Sequence, residues 1–254
     1  MRNTIWMLLG FALLSGCGES APPAPSVYEQ AVGSTTRLEG DYARDANRKP
    51  AAVLEFVGIK PGDRVLDMFS GGGYYSELLA TVVGPEGRVL AHSNQAYLAF
   101  VGDEFKARHA EGRLPNVEVL MAENNELELE AGSLDAIMLV LSFHDLYYAN
   151  PDRGWPQIDD GSFLAELYKG LRPGGVVGIV DHAAKPGSSR ETGGTVHRID
   201  SAIVQQEMEL AGFVLEATSD ILRNPDDDHT KSVFEPEIRG QTDRFVMRWV
   251  KPAS

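Results

Sequence analysis

Two groups of residues in this chain have the types and spacing to do chemistry. The first is Asp67 with Gly71 and Gly73, in the run D-R-V-L-D-M-F-S-G-G-G-Y-Y-S-E-L-L-A-T over residues 63–81. Residues 64–68 read as a short apolar strand, 70–73 as a glycine turn and 74–81 as the opening of a helix. Glycines fit where a strand reverses into a helix and a ligand lies on bare backbone. The dinucleotide fingerprint needs a third glycine, and Ser76 stands there. A carboxylate at 67 would repel a pyrophosphate and suit a ligand with a cationic end and no phosphate. Ser70 and Tyr74 flank the bend. The second group is His144-Asp145 after the apolar run S-L-D-A-I-M-L-V-L, Asp181-His182 after V-V-G-I-V, and His197. In open α/β sheets ligands bind beyond the carboxyl ends of strands. His144 is therefore placed to act as a general base near neutral pH, with Asp145 orienting it or binding a metal.

The elements that must position these residues alternate in type. Residues 50–57 read as a helix with proline in its first turn. Strands are expected at 87–91, 116–120, 133–141, 176–180, 213–219 and 243–251, and helices at 95–110, 160–171 and 201–211. The near-continuous apolar character of 133–141 predicts a strand buried on both faces. The polar stretch 27–49 contains Tyr42, Arg44, Asp45, Asn47 and Arg48, which either face a substrate or form a solvated helix face. Residues 185–194 read as a flexible Gly/Ser-rich loop, and 223–240 as a long charged insertion, substrate-side or solvated.

The D-x-x-x-G-x-G pattern at Asp67–Gly73 and the L-x-P-G-G turn at Leu171–Gly175 resemble two motifs of class I S-adenosylmethionine (SAM) dependent methyltransferases. An H-D after strand four and an H-R-I-D before the last helix resemble exported members of that superfamily. The resemblance spans residues 50–252. It implies an α/β, Rossmann-like, seven-stranded doubly wound sheet of order 3-2-1-4-5-7-6. It also implies SAM as cofactor, a methyl transferred to oxygen or nitrogen of a small polar substrate, and a lid formed by the segment before residue 50. By the same resemblance Ser93 and Asn94 stand at the ribose position, where the family carries an acidic residue, and Glu123 or Asn124 at the adenine position. Catalysis would fall to His144, Asp145, His182 and His197. Catechol-type relatives hold magnesium after strands four and five, where this chain offers Asp145, Asp181 and His182; a divalent metal is possible there but not expected. Two other uses of the fold stay open, a binding protein for a nucleoside-like ligand and a metal-assisted hydrolase.

The amino terminus carries Arg2, an apolar run over residues 5–14 and then Leu14-Ser15-Gly16-Cys17. This is too short to span a bilayer and matches a secretory leader. The last four residues resemble a bacterial lipobox, implying cleavage before Cys17 and lipidation of its thiol. The expected organisation is a leader at 1–16, a lipidated Pro-rich tether at 17–26 and one domain at 27–254, exported and anchored by lipid. With a single cysteine the chain forms no intrachain disulfide. Its 23 basic and 37 acidic residues give a net charge of −14, which argues against nucleic acid or anionic lipid as a substrate surface.

Overall fold

The structure is a computed structural model that describes residues 24–253; the expected leader and Cys17 lie outside the described residues. Seven strands form one sheet in the order β3-β2-β1-β4-β5-β7-β6, as the resemblance implied. They are β1 (Arg64–Met68), β2 (Arg88–Ser93), β3 (Val117–Met121), β4 (Leu134–Val140), β5 (Leu171–His182), β6 (Val214–Ser219) and β7 (Arg244–Val250). The first five run parallel; β7 is antiparallel to both β5 and β6. Val65, Leu66, Ile137 and Met138 in the central strands have no exposed surface, as apolar strands covered on both faces should. β5 starts five residues earlier than the sequence predicts. A register shift between Leu134 and Ala136 absorbs the Arg172-Pro-Gly-Gly turn into the ladder as a bulge.

One face of the sheet packs against α3 (Pro50–Val57) and α4 (Tyr74–Val83) and the other against α6 (Asp160–Gly170) and α8 (Ser201–Leu210), giving two apolar layers. α5 (Gln95–Arg108) connects β2 to β3. The chain leaves β1 and β4 through Phe69 and Leu141, both left-handed at φ 55° and 59°. These turns lift the chain off the sheet at its central crevice.

Two segments depart from the sequence reading. The polar stretch before Pro50 forms α1 (Val27–Val32) and α2 (Glu39–Arg48). α1 begins with a capping box between Ser26 and Glu29, whereas α2 has no side-chain cap and is fixed by ion pairs. Its Asp41, fully buried, meets Arg108 of α5, which also pairs with Glu77 of α4 and Glu104. The stretch expected to be a flexible loop at 185–194 runs instead into α7 (Glu191–Val196). Gly193 sits so close to the chain after β4 that a Cβ would lie 2.5 Å from the carbonyl oxygen of His144. That packing orders the loop. Among the described residues no helix is long and apolar enough to cross a membrane.

Arg108 has no exposed surface and holds three carboxylates. Replacing it, Arg108→Met, leaves Asp41 and Glu77 buried without their cation and is expected to cost about 3–5 kcal/mol in urea unfolding. Glu104→Gln, at a partly exposed position, is expected to cost much less.

Candidate active site

A chamber of about 810 Å³ opens at the carboxyl ends of the parallel strands, inside the range of ~300–1,000 Å³ usual for small-ligand sites. Its floor includes Asp67 and the Ser70–Gly72 bend; α2 supplies a roof through Arg44, Asn47 and Arg48; the far wall holds His144, Asp145, His182 and His197. Of the roof cluster expected from sequence, Tyr42 is turned to solvent and bonds the Ser34 carbonyl, while Asp45 pairs with Arg37 and Tyr74. The 223–240 insertion lies on the substrate side, since Val233, Phe234, Arg239 and Gly240 border the chamber. It is tied down by the fully buried pair of Arg198 with Asp227.

Asp67 is 2 % exposed and accepts a hydrogen bond of 2.6 Å from the Ser76 hydroxyl. Burial pushes its carboxyl up to about 7, against the opposing pull of Ser76 and the Arg108 and Arg48 charges. Gly71 at φ 56° has nothing within 4 Å of where a Cβ would stand, so the backbone there faces open space. Gly73, at φ 78°, caps α4 where a Cβ would meet Arg108 Cγ at 2.8 Å. Tyr74, at the head of α4, borders the chamber and donates to Asp45.

The nucleoside positions expected from sequence lie off the chamber. Ser93 and Asn94 are buried and do not border it; Glu123 and Asn124 do not border it either. Asn94 is consumed as the cap of α5, accepting from the Tyr97 N–H at 2.9 Å and donating to Asn124 Oδ1 at 3.2 Å. That side is walled by aromatic rings that the sequence reading missed. Phe69 stacks on Tyr97 at 5.3 Å, Tyr97 meets Trp155 at 5.1 Å, and Trp155 meets Tyr148 edge-on at 5.5 Å. Helical periodicity alone gave no sign that Tyr97 would turn inward.

On the far wall His144 is held between two carboxylates. Its Nδ1 lies 2.7 Å from Asp181 Oδ1, its backbone N–H donates to Asp181 Oδ2 at 2.8 Å, and its Nε2 is 3.4 Å from Asp145 Oδ1. Burial alone would lower the His144 pKa. Asp181 and Asp145 outweigh it and hold the ring up at about 9. Both ring nitrogens of His144 face a carboxylate, Nδ1 on Asp181 and Nε2 toward Asp145, an arrangement that suits a held proton better than the expected role as general base. Asp145 also accepts from the Tyr97 hydroxyl, and burial with the Asp145 charge keeps that phenol protonated. His182 is the opposite case. Burial, then the charge of His144, pushes it well below its usual value, so it is neutral. Its Nδ1 is 2.6 Å from Thr242 Oγ1, and among the described residues Nε2 has no hydrogen-bond partner. α7 ends at His197, left-handed at φ 56°, whose Nδ1 stands 3.7 Å from Asp145.

The metal set suggested by sequence is not assembled. Asp181 is saturated by the His144 donors and the His182 N–H, and His182 is turned to Thr242. Among the described residues, ligand atoms of His144, Asp145 and His197 do lie within 4.8 Å of one another. An ion there would have to displace the proton that His144 holds between its carboxylates.

This fold is that of the SAM-dependent methyltransferases. A family model of protein-L-isoaspartate (D-aspartate) O-methyltransferases matches residues 27–138. A solved SAM-dependent methyltransferase from Aquifex aeolicus superposes with a TM-score of 0.58 at 24 % identity, covering 82 % of this chain and 93 % of that one. The ubiquinone/menaquinone biosynthesis C-methyltransferase UbiE of Teredinibacter turnerae is 29 % identical over 138 residues, 54 % of this chain and 49 % of the relative. An uncharacterised 37.1 kDa protein of a Streptomyces fradiae transposon is 32 % identical over 152 residues, 59 % of this chain and 39 % of the relative. The chain thus spans about half the length, or less, of these curated relatives.

The residues fit SAM in part. The bend fits its amino-acid end through Asp67 and the open backbone at Gly71, and the buried Ser142 hydroxyl, on the chamber wall, has no protein partner. The nucleoside end lacks a carboxylate at the end of β2 and meets aromatic faces instead.

The raised His144 pKa has a thermodynamic consequence. A group whose folded pKa exceeds its unfolded value stabilises fully below the unfolded value and loses that contribution as pH rises through the folded one. The window runs from 6.5 to about 9. His182, His197, Asp145 and Asp181 face the ring, so the measurement is differential: the melting temperature of the parent is expected to fall across this window relative to that of His144→Gln.

Proposed function

We propose that this protein is a SAM-dependent methyltransferase acting on a small polar molecule, with transfer to an oxygen or nitrogen. One observation carries the reading: the Asp67–Gly71 bend and the His144, Asp145, His182 and His197 cluster border a single chamber. SAM when bound supplies an electrophilic methyl group on a sulfonium. The chain's own residues do the rest. Asp67 takes the ammonium end, the bare backbone at Gly71 lets the ligand lie close, and the Tyr97 and Trp155 rings offer faces for a planar base. His182 Nε2 accepts the proton of the attacking group. The Tyr97 hydroxyl donates to Asp145 and fixes it, with His144, bonded to Asp181, beside it at 3.4 Å. Holding the two reactants at the reacting distance supplies most of the acceleration. The matched family model, of O-methyltransferases, supports this chemistry.

A second reading is favoured by the buried Ser93 and Asn94 and the missing β2 carboxylate: the fold reused to bind a small ligand without transfer. Calorimetry separates the two. For the transferase, SAM binds saturably, Asp67→Asn weakens it at least tenfold, and affinity rises with pH through about 7 as the Asp67 carboxyl loses its proton. No heat at high micromolar SAM removes the transferase reading. His182→Gln is expected to lower kcat about a hundredfold with SAM affinity retained.

The chain is also proposed to be exported and lipid-anchored through Cys17, on the strength of Arg2, the apolar run over residues 5–14 and the Leu14-Ser15-Gly16-Cys17 sequence. Two or three acyl chains suffice for stable anchoring. Metabolic labelling with a fatty acid is expected to mark the parent and not Cys17→Ser; equal labelling of both would overturn the anchor.

A further inference from the structure

The chamber contains more positive charge than its carboxylates answer. Arg244 opens β7 and is 5 % exposed. Its Nε donates to the Thr242 carbonyl at 3.1 Å and one Nη to the Gly240 carbonyl at 3.0 Å; among the described residues no carboxylate pairs with it. Burial and the nearby Arg48 charge both press its pKa down. A buried guanidinium without a counter-ion is costly, and interiors rarely tolerate one. Arg48, at the end of α2, makes no hydrogen bond or ion pair among the described residues; its guanidinium stacks over the Tyr74 ring at 4.7 Å. Arg239, in the insertion, borders the chamber and is likewise unpaired among the described residues.

The carboxylates of the chamber are already engaged. Glu104 pairs with Arg44 at 2.6 Å and with Arg108, and Asp145 is taken by His144 and Tyr97. Asp67 is bonded to Ser76, and burial pushes its carboxyl up to about 7. Three arginines from α2, the insertion and β7 thus converge on one cavity, and among the described residues none of them is in an ion pair with a carboxylate.

The position of Arg244 in the sheet separates it from the Asp67 bend. Arg244 is register partner to His182 across β5 and β7. From β1 the order runs β4, β5, β7, three strand spacings, or about 14 Å at ~4.8 Å each. Arg244 therefore stands beside the proposed proton acceptor, on the side away from the seat of the SAM ammonium, while Arg48, over Tyr74, acts on both Arg244 and Asp67.

We propose that Arg244, Arg48 and Arg239 form the recognition subsite for an anionic group, a carboxylate or a phosphate, on the methyl acceptor. Planar guanidinium forks match either anion in a bidentate manner. The acceptor is then an anionic small molecule whose charged end is held at β7 while its nucleophile lies near His182. This assignment rests on the methyl-transfer reading; the anion site itself does not.

The test uses purified protein, with inorganic phosphate, succinate and SAM titrated separately into the parent, Arg244→Met and Arg48→Met. The expected result is saturable binding of phosphate or succinate by the parent, weakened tenfold or more in both variants, with SAM affinity within twofold of the parent in Arg244→Met. Absence of saturable anion binding overturns the subsite. A tenfold loss of SAM affinity in Arg244→Met overturns the assignment to the acceptor, because that arginine then holds the carboxylate of SAM itself. Should Arg244→Met fail to fold, Arg48→Met at its half-buried position decides alone. Phosphate or succinate binding by a parent that ignores SAM supports the subsite and removes the methyl-transfer reading.

Discussion

Arg108 has no contact with solvent and carries a charge, and the geometry of the chamber follows from how that charge is met. Three carboxylates reach it from three elements: Asp41 from α2, Glu77 from α4 and Glu104 from its own helix. Its Nε also donates to the Gly72 carbonyl at 3.0 Å. A bare backbone bend can receive a ligand only if something covers it without filling it. Here the cover is a polar helix whose own propensity is weak, held by charge. The large desolvation cost of each partner makes the arrangement specific, because any displacement of α2 strands ions in a low-dielectric interior. The roof, the bend and the helix after β2 therefore behave as one unit.

The opposite wall uses the same physics for a different end. His144 sits between Asp181 on β5 and Asp145 in its own turn, and the pair of carboxylates holds a proton that burial would otherwise expel. The bridge joins the ends of two neighbouring parallel strands. Its charge in turn depresses His182 across 5.8 Å between ring centroids. Two adjacent histidines are thereby pushed in opposite directions, His144 upward and His182 downward. Divergent titration of neighbouring groups is how one site supports both halves of a proton transfer.

The fold was legible because its signals are local. The apolar strand at Arg64–Met68, the glycine bend after it and the apolar run through β4 each follow from residue type and period, and their sequence order resembles one architecture. The errors have physical causes. α2 has no cap and no apolar stripe, so nothing local marks it; its stability comes from Arg108, sixty-seven residues from Asp41. The glycines of residues 185–194 suggest a flexible loop, whereas Gly193 serves close packing against His144. Asn94 was read as a ribose contact from its place after β2, and the same place makes it the cap of α5.

What the sequence determined by itself is the sheet, the bend and the rim on which the histidines stand, since parallel strands carry their chemistry at their carboxyl ends and apolar runs mark where those ends fall. Only the tertiary structure decided which rim residues meet, and in what charge state, because pKa values depend on burial and on neighbours far away in the chain. Arg244 shows the boundary between the two. It begins its strand instead of ending it, and it reaches the chamber because β7 runs against β5, which puts the amino end of that strand on the same rim as the carboxyl ends of the others.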